Sequence, residues 1–375
     1  MRGPAGICRL VFRARPTFFS AMGASSGSHR LFIGTYTKGA SRGIYSVTLD
    51  AATGALGAPE LAAEASNPTF LALSPGREFL YAVCAGPGWA SSFRVDPASA
   101  RLRAVHQAAP GDGPTPCHIA VDPTGRVGLA ANYHAALAAA IPLGPDGSVG
   151  PARVVAHTGR GPHPTRQATA HVHSANFAPG GGFALVCDLG LDRIYTYAID
   201  RASVGLSPAD PAFIAAAPAS GPRHLAVERT GRHVYAINEL ANTIVAYAWD
   251  GTTGRLSPRQ TVSVLPEGHT GNATAAEVAI HPNGRFLYGS CRGPDTLAVF
   301  GMDAATGDLS PVETVPCGGR CPRHFAISPD GRWLVCAHQE SHTLCAFGVD
   351  GATGRLRRVP GSAAVPMPVC ALFLD

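Results

Sequence analysis

Histidine and arginine recur at one position along this chain, at intervals of roughly fifty residues. Each occurrence stands at the start of an apolar stretch. The dipeptides concerned are Cys117-His118, His173-Ser174, Arg223-His224 and Arg323-His324. An imidazole can transfer a proton near neutral pH, and a guanidinium can hold an oxyanion or an acidic group through forked N–H donors. The pattern therefore favours acid–base chemistry on a small, anionic molecule.

The apolar stretches that follow these residues belong to a repeat. Each stretch ends in a Gly-centred turn and is followed by a second apolar stretch, as in the copies that begin at Pro68, Pro116, Pro222 and Pro322. A third stretch, a turn such as Asp-Gly-Thr-Thr-Gly and a fourth stretch complete the unit. Repeats of this length and pattern predict four antiparallel strands, which form one blade of a β-propeller.

The two ends of the chain predict how the ring closes. Residues 30–56 match strands two to four of a blade, and residues 368–375 match only its first strand. Sharing one blade would remove both open sheet edges. We therefore expect an all-β protein, a seven-bladed β-propeller with four antiparallel strands per blade, as a single domain over residues 30–375. The 44 Gly and 32 Pro residues agree with this class.

The propeller geometry predicts where the polar residues meet. The start of the innermost strand and the end of the second strand both lie at one mouth of the central channel. Glu277 stands at a first-strand start, and Tyr133, Glu239, Arg292 and Gln339 stand at second-strand ends. Convergent polar groups in a concave place predict a functional site. Ordinary solvation and capping of strand ends is the alternative explanation of the same polarity.

Several motifs resemble one known family, and their order along the chain is more specific than any single motif. The motifs are GTYT, HVHSANFAP, DLGLDRIYTY, GPRHLAV, AINEL, HPNGRFLYGSCRG and PRHFAISPDGRWL. They are similar to the seven-bladed lactonase family, which includes the bacterial propeller-type 6-phosphogluconolactonases and the fungal 3-carboxy-cis,cis-muconate lactonizing enzymes. The resemblance covers residues 31–375. It implies the propeller fold and lactone chemistry that needs no metal or organic cofactor.

The resemblance also implies a set of catalytic residues, namely His173, Arg223, Glu239 and Arg292. Opening a lactone requires attack of water on an acyl carbon, a base for the proton of that water, and a donor for the developing oxyanion. His173 or Glu239 can serve as the base. Arg223 and Arg292 can hold the oxyanion, or a carboxylate or phosphate of the substrate. We favour His173 because its reference pKa lies near neutrality, although two Arg neighbours could keep Glu239 ionised.

Further residues at the predicted mouth are candidates for substrate binding, and Arg166 and Gln167 also match a family motif. The candidates are His118, Tyr133, Arg166, Gln167, Arg323, His324 and Gln339. A metal is not expected, since the ten cysteines form no C-x-x-C pair. His171 and His173 would share one face of a strand, and together with Glu239 they leave a metal site as a second interpretation.

The expected activity is hydrolysis of a sugar lactone, most specifically of 6-phosphogluconolactone to 6-phosphogluconate in the pentose phosphate pathway of glucose metabolism. Two alternatives stay open from the residues alone. A muconate-type cycloisomerase would use similar base and Arg groups to close a lactone. A non-enzymatic scaffold would display exposed aromatic or apolar clusters at the propeller rim, and the chain lacks the G-H and W-D dipeptides of such repeats.

Composition excludes other classes of partner. The net charge is +5 and only 15% of the residues are charged, without basic runs, which argues against nucleic-acid binding. No apolar run is long enough for a membrane span. We expect an anionic lactone as the small-molecule partner of a monomer or weak homo-oligomer. Cysteines inside apolar strands favour a reducing, cytoplasmic location.

The first residues differ in character from the repeats. Residues 1–48 contain no Asp or Glu, whereas Arg2, Arg9, Arg13 and Arg15 alternate with apolar residues. This pattern is similar to a mitochondrial transit peptide. A disordered extension before an internal start at Met22 explains it equally well. We therefore assign residues 1–29 to an extension or a possible transit peptide.

Overall fold

The computed structural model describes residues 27–85, 88–107 and 116–375. Most of the predicted N-terminal extension lies outside these residues. The first strand begins at Ser28, two positions before the predicted start of the domain at Arg30. No helix that could span a membrane occurs in the described ranges.

The described residues form 29 strands. The first ten are β1 (Ser28–Thr35), β2 (Gly43–Asp50), β3 (Glu60–Glu64), β4 (Phe70–Leu73), β5 (Phe79–Val83), β6 (Ser91–Val95), β7 (Leu102–His106), β8 (His118–Val121), β9 (Val127–Asn132) and β10 (Leu137–Pro142). The next ten are β11 (Arg153–Ala156), β12 (Val172–Phe177), β13 (Phe183–Asp188), β14 (Arg193–Asp200), β15 (Gly205–Ala215), β16 (Pro222–Val227), β17 (His233–Asn238), β18 (Thr243–Asp250), β19 (Arg255–Ser263) and β20 (Thr274–Ile280). The last nine are β21 (Phe286–Arg292), β22 (Thr296–Met302), β23 (Leu309–Pro316), β24 (Pro322–Ile327), β25 (Trp333–His338), β26 (Thr343–Val349), β27 (Leu356–Arg358), β28 (Ala363–Ala364) and β29 (Pro368–Phe373).

These strands pair into seven antiparallel sheets, which are the seven predicted blades. Blade 1 has the order β29-β1-β2-β3. Blades 2 to 6 each use four consecutive strands, from β4–β7 through β20–β23, and blade 7 combines β24–β27 with the short β28 beside β26. The all-β, seven-bladed architecture predicted from the repeat is confirmed.

The closure of the ring is also as predicted. In blade 1, β29 pairs with β1, so that Ile33 faces Ala371 and Gly34 faces Cys370. The backbones approach closely at this point. A Cβ atom on Gly34 would lie 2.4 Å from the carbonyl oxygen of Pro68 in blade 2. Glycine is therefore required where the shared blade meets its neighbour.

The hydrophobic core lies between the blades. Buried apolar side chains form seven clusters, and each cluster joins two neighbouring blades around the ring. Strand residues alternate between the two faces of a sheet, so every blade contributes to two interfaces. The blades are thereby fixed relative to one another, and the residues at the mouth of the channel are held on rigid strand ends.

A turn glycine reinforces the contact between blades 4 and 5. Gly254 has a φ of +72° and packs on the ring of Phe183, where a Cβ would lie 2.8 Å from a ring carbon. Four turn glycines in other blades contact a ring of the preceding blade in the same way. They are Gly54 on Trp333, Gly147 on Phe79, Gly307 on His233 and Gly354 on Phe286.

We expect Gly254→Ala to lower the free energy of unfolding by about 2 kcal/mol, since it combines an unfavourable φ with overpacking. Gly284→Ala is the matched control. Gly284 has the same φ of +72°, but a Cβ added to it would have no neighbouring atom within 4 Å. The control should lose only about 1 kcal/mol in urea unfolding. Equal losses in the two variants would contradict the proposed contact between blades.

Candidate active site

The predicted mouth of the channel opens into a cavity of 540 Å³. Strand ends and inter-strand loops from several blades form its wall. Seven residues predicted from the sequence line it: Tyr133, Arg166, His173, Glu239, Arg292, Arg323 and Gln339. Four other predicted residues, His118, Gln167, Arg223 and His324, are not part of the wall.

A buried carboxylate occupies the inner part of the cavity. Glu239 directly follows β17 and is 3% exposed. Arg223 Nε donates to its Oε2 at 3.1 Å, and Arg166 Nη2 donates to its Oε1. Arg292 Nη2 forms an ion pair with Oε2 at 3.0 Å and donates its hydrogen bond to the carbonyl of Ala275. Arg166 belongs to the loop before β12, Arg223 to β16 and Arg292 to the end of β21. The single carboxylate thus joins blades 4, 5 and 6.

The three arginines decide the ionisation of Glu239. Burial alone would raise the pKa of this carboxyl, but the charges of Arg292, Arg223 and Arg166 lower it to about 2. Glu239 is therefore an anion at every physiological pH. A carboxylate with so low a pKa is a weak base while all three arginines contact it.

His173 in β12 lies beside this carboxylate, with Nε2 4.0 Å from Glu239 Oε2. Its ring is 5% exposed and packs edge to face against Tyr133 and His224, at centroid distances of 5.6 and 5.1 Å. Burial, followed by the charge of Arg223, lowers the pKa of His173 well below 6.5. The imidazole is therefore neutral near pH 7 and can accept a proton.

Arg223 does not occupy the place that we expected from the sequence. It is 2% exposed, and its Nη1 donates to the carbonyl of Ala276 at 2.5 Å while its Nε donates to Glu239. Burial lowers its pKa to about 10. Arg223 is therefore not part of the cavity wall, and its contact with the substrate stays a prediction. It holds Glu239 in position and compensates the buried charge.

His118 and His324 were predicted to bind substrate, but they lie in a packed layer below the cavity. Their rings contact Phe70 at centroid distances of 4.4 and 5.4 Å. Glu277 accepts from His224 Nδ1 at 2.9 Å and lies 3.4 Å from His324 Nε2. These residues pack near the channel axis and support the residues above them.

Gln167 also stays outside the cavity, contrary to expectation. It is completely buried, and its Nε2 donates to the carbonyl of Leu189 at 2.8 Å and to Asp192 Oδ1 at 2.7 Å. Asp192 Oδ1 also accepts from the backbone N–H of Gly221, two residues before Arg223. Gln167 and Asp192 therefore fix the two segments that carry Arg166 and Arg223.

The metal-site interpretation requires His171 next to His173 and Glu239. In the structure the His171 ring stacks on Tyr133 at a centroid distance of 4.2 Å, and its Nδ1–H donates to the carbonyl of Tyr133 at 3.1 Å. Among the described residues, no group of three or more His, Cys, Asp or Glu side chains is arranged to hold a metal ion. His171 instead orients Tyr133.

Some residues of the cavity wall were not predicted. They include Lys38, Asn67 and Met367, which line its side near blade 1. Tyr36 lies beside them on the wall, and its position directly after β1 allowed it to be expected either in the pocket or in packing. Tyr36 does occupy a second-strand end, and a charged residue two positions beyond it could have drawn attention to Lys38. The other two come from loops outside the repeated strand pattern.

The cavity at the mouth of the propeller thus contains a carboxylate held among arginines, with a neutral histidine beside it. This arrangement is typical of an enzyme for a small anionic substrate. Comparison with known proteins defines the class further. Residues 30–373 match the family described as "Lactonase, 7-bladed beta-propeller". The chain belongs to this lactonase family.

The most informative relatives come from bacteria. The chain is 38% identical to 6-phosphogluconolactonase of Bacillus subtilis (strain 168) over 347 residues, covering 92% of this chain and 97% of the relative. Among solved structures, the periplasmic gluconolactonase of Pseudomonas aeruginosa has a TM-score of 0.85 at 34% identity, with 93% and 99% of the two chains covered. A putative 6-phosphogluconolactonase of Bacteroides fragilis has a TM-score of 0.85 at 31% identity, with 95% and 100% covered.

We expect Glu239→Gln to lower the free energy of unfolding by about 3 kcal/mol at pH 6, since it leaves buried arginines uncompensated. The folded-state pKa of Glu239 is depressed, so its contribution is complete above the ordinary value of 4.5 and is lost as the pH falls towards about 2. The difference from wild type should therefore shrink across this range in urea unfolding.

Glu64→Gln is the control for this measurement. Glu64 pairs with Arg42 on the surface, where both side chains are about two-thirds exposed. Its loss should have little effect at any pH. A constant difference between wild type and Glu239→Gln from pH 6 to pH 2 would contradict the depressed pKa.

Proposed function

We propose that this protein hydrolyses 6-phosphogluconolactone to 6-phosphogluconate. One observation carries the proposal, namely the ionised Glu239 that lies 4.0 Å from neutral His173 on the wall of a cationic cavity. The names of the relatives in Bacillus subtilis and Bacteroides fragilis support this substrate. In the cell, the reaction would belong to the pentose phosphate pathway of glucose metabolism.

The chemistry can be assigned to residues of the cavity. A water molecule attacks the carbonyl carbon of the lactone, and His173 Nε2 accepts one proton from it, with Glu239 as the alternative base. Arg292 and Arg166 are the donors for the developing oxyanion. Collapse of the tetrahedral intermediate breaks the bond between the acyl carbon and the ring oxygen, and the proton returns to that oxygen. The products are a hydroxyl group and a carboxylate.

Binding of an anionic substrate would strengthen both bases. The positive charges of the arginines contribute to the low pKa values of His173 and Glu239. A phosphate or an oxyanion in the cavity offsets part of this field, so both pKa values rise towards neutrality. A base whose pKa is nearer the working pH takes up a proton from water more efficiently. The substrate thereby assists its own hydrolysis.

The charge of the cavity wall supports an anionic substrate. Four cationic side chains line it among the described residues, whereas Glu239 is the one carboxylate on the wall. The residues involved are Lys38, Arg166, Arg292 and Arg323. A neutral sugar lactone needs no such excess of positive charge, but a phosphorylated one does.

The two alternative functions considered from the sequence, a scaffold and a cycloisomerase, agree with the structure to different degrees. A scaffold would expose apolar clusters at the rim, yet in the described ranges the exposed large hydrophobic side chains are Val105, Val154 and Phe213, on three different blades. Membership in the lactonase family also favours an enzyme. Lactone formation by a cycloisomerase uses the same groups in the opposite direction, and a substrate assay distinguishes it.

The cellular location also stays a proposal. Nine cysteines in the described part of the chain are present as thiols, which favours a reducing cytoplasm. The acid-free segment that suggested a mitochondrial transit peptide lies almost entirely outside the described residues. Comparison with bacterial relatives gives no support to that alternative. Whether the protein is a monomer or a weak homo-oligomer is likewise a prediction from the sequence.

The direct test is an assay of 6-phosphogluconolactone and of unphosphorylated gluconolactone, corrected for spontaneous hydrolysis. We expect His173→Ala and Glu239→Gln to lower kcat/KM about 100-fold or more, since each removes a group that acts in the transition state. His233→Gln is the control. His233 is a buried histidine paired with Glu228 at 2.9 Å and is not part of the cavity wall. Wild-type rates in both site variants would overturn the assignment.

The pH dependence of kcat/KM provides a second test. The pKa values of His173 and Glu239 are lowered in the free protein, so both groups are still unprotonated when the pH reaches 6.5. We therefore expect kcat/KM to stay constant as the pH falls through 6.5 and to decline only in more acidic solution. A decline centred at or above pH 6.5 would contradict the buried, cation-flanked environment of His173.

A further inference from the structure

Two of the four cations on the cavity wall have no hydrogen-bond or ion-pair partner among the described residues. Arg166 and Arg292 contact Glu239, but neither Arg323 nor Lys38 forms a side-chain hydrogen bond or ion pair with any described residue. Arg323 is half-buried in β24, at the start of the inner strand of blade 7. Removing a guanidinium from water without a counter-ion costs free energy, so this arrangement is suited to a ligand that supplies the charge.

A tyrosine lies next to both unpaired cations. The Arg323 guanidinium carbon lies 5.7 Å from the centroid of the Tyr36 ring, and Lys38 Nζ lies 5.9 Å from the same centroid. Contacts of this length attract a cation only modestly, so the ring orients the two groups but does not neutralise them. Two cations beside one ring, on the same side of one cavity, form a binding place for a doubly charged anion.

A third side chain at this place is also unsatisfied. Gln339 follows β25 in blade 7, lines the same cavity, and its buried Oε1 has no hydrogen-bond partner among the described residues. A buried amide oxygen without a donor is unusual. A hydroxyl group of a bound sugar would satisfy it. This observation is independent of the two cations and also indicates a polyhydroxylated ligand.

We propose that Lys38, Arg323 and Gln339 form a subsite for the phosphate-bearing end of a phosphorylated sugar acid or lactone, which rests on and deepens the function proposed above. The lactone ring then lies towards His173 and Glu239, and the phosphomonoester lies towards blades 1 and 7. Arg323 offers its planar fork of donors to the phosphate oxygens, and the flexible Lys38 closes on them as a point charge. This division makes the phosphate, rather than the ring, the feature that selects the substrate.

Binding of the product tests the subsite without requiring turnover. We expect Arg323→Gln to raise the Kd of 6-phosphogluconate at least tenfold in titration calorimetry, because a charge-assisted contact to phosphate is lost. The Kd of unphosphorylated gluconate should change much less, so the ratio of the two constants should fall. Arg320→Gln is the matched control, since Arg320 is exposed in the loop directly before β24 and is not part of the cavity wall. It should leave both constants unchanged.

Two outcomes would overturn the subsite. An unchanged Kd for 6-phosphogluconate in Arg323→Gln would show that the phosphate binds elsewhere. An equal loss of affinity for both ligands would show that Arg323 acts on the sugar acid or on the fold. A protein that binds 6-phosphogluconate through Arg323 but hydrolyses neither lactone would refute the proposed function and leave the subsite intact.

The composition of the chain allows a second, covalent test. Lys38 is the only lysine among 375 residues. Its ε-amine condenses with the aldehyde of pyridoxal 5′-phosphate, releasing water, and borohydride reduces the resulting imine to a stable amine. Mass spectrometry should find Lys38 labelled more by pyridoxal 5′-phosphate than by pyridoxal, and 6-phosphogluconate should block the labelling. Equal labelling by the two aldehydes, or no protection, would contradict a phosphate site at Lys38.

Discussion

The site depends on the burial of one carboxylate. Glu239 is shielded from water almost completely, and its charge is tolerated only because three guanidinium groups contact it. Those groups come from three consecutive blades. The electrostatics of the site therefore require the register between blades to be correct, and a displacement of one blade would leave charges uncompensated. The catalytic geometry therefore depends directly on how the blades pack against one another.

The propeller meets this requirement by distributing its core. Every interface between neighbouring blades contains its own apolar cluster, so no blade is held by one contact alone. Below the cavity, a layer of aromatic and imidazole rings packs near the channel axis and keeps the inner strand starts at fixed separations. The reactive groups project from these strands and need little reorganisation when substrate binds.

The sequence predicted the fold well because the repeat encodes it. Strand starts and ends are visible in the pattern, so residues such as His173, Glu239 and Arg292 could be assigned to one mouth. The depth of each side chain below that mouth could not be predicted. It depends on the bulges that shift the register between the first two strands of a blade, as between Pro222 and His224. Arg223, for example, was expected at the mouth but is buried outside the cavity wall, where it contacts Glu239. Lys38 stands in a loop outside the repeat, where periodicity carries no information.

The pairing of β29 with β1 has a consequence for the biosynthesis of the protein. β29 follows the other described strands in the chain, so the ribosome makes it after them, whereas it makes β1 before them. Blades 2 to 6 can assemble from consecutive strands while translation continues. In blade 1, one edge of β1 stays unpaired until β29 emerges. During this interval β1 presents open backbone donors and acceptors, which makes the nascent chain dependent on rapid completion or on protection by a chaperone.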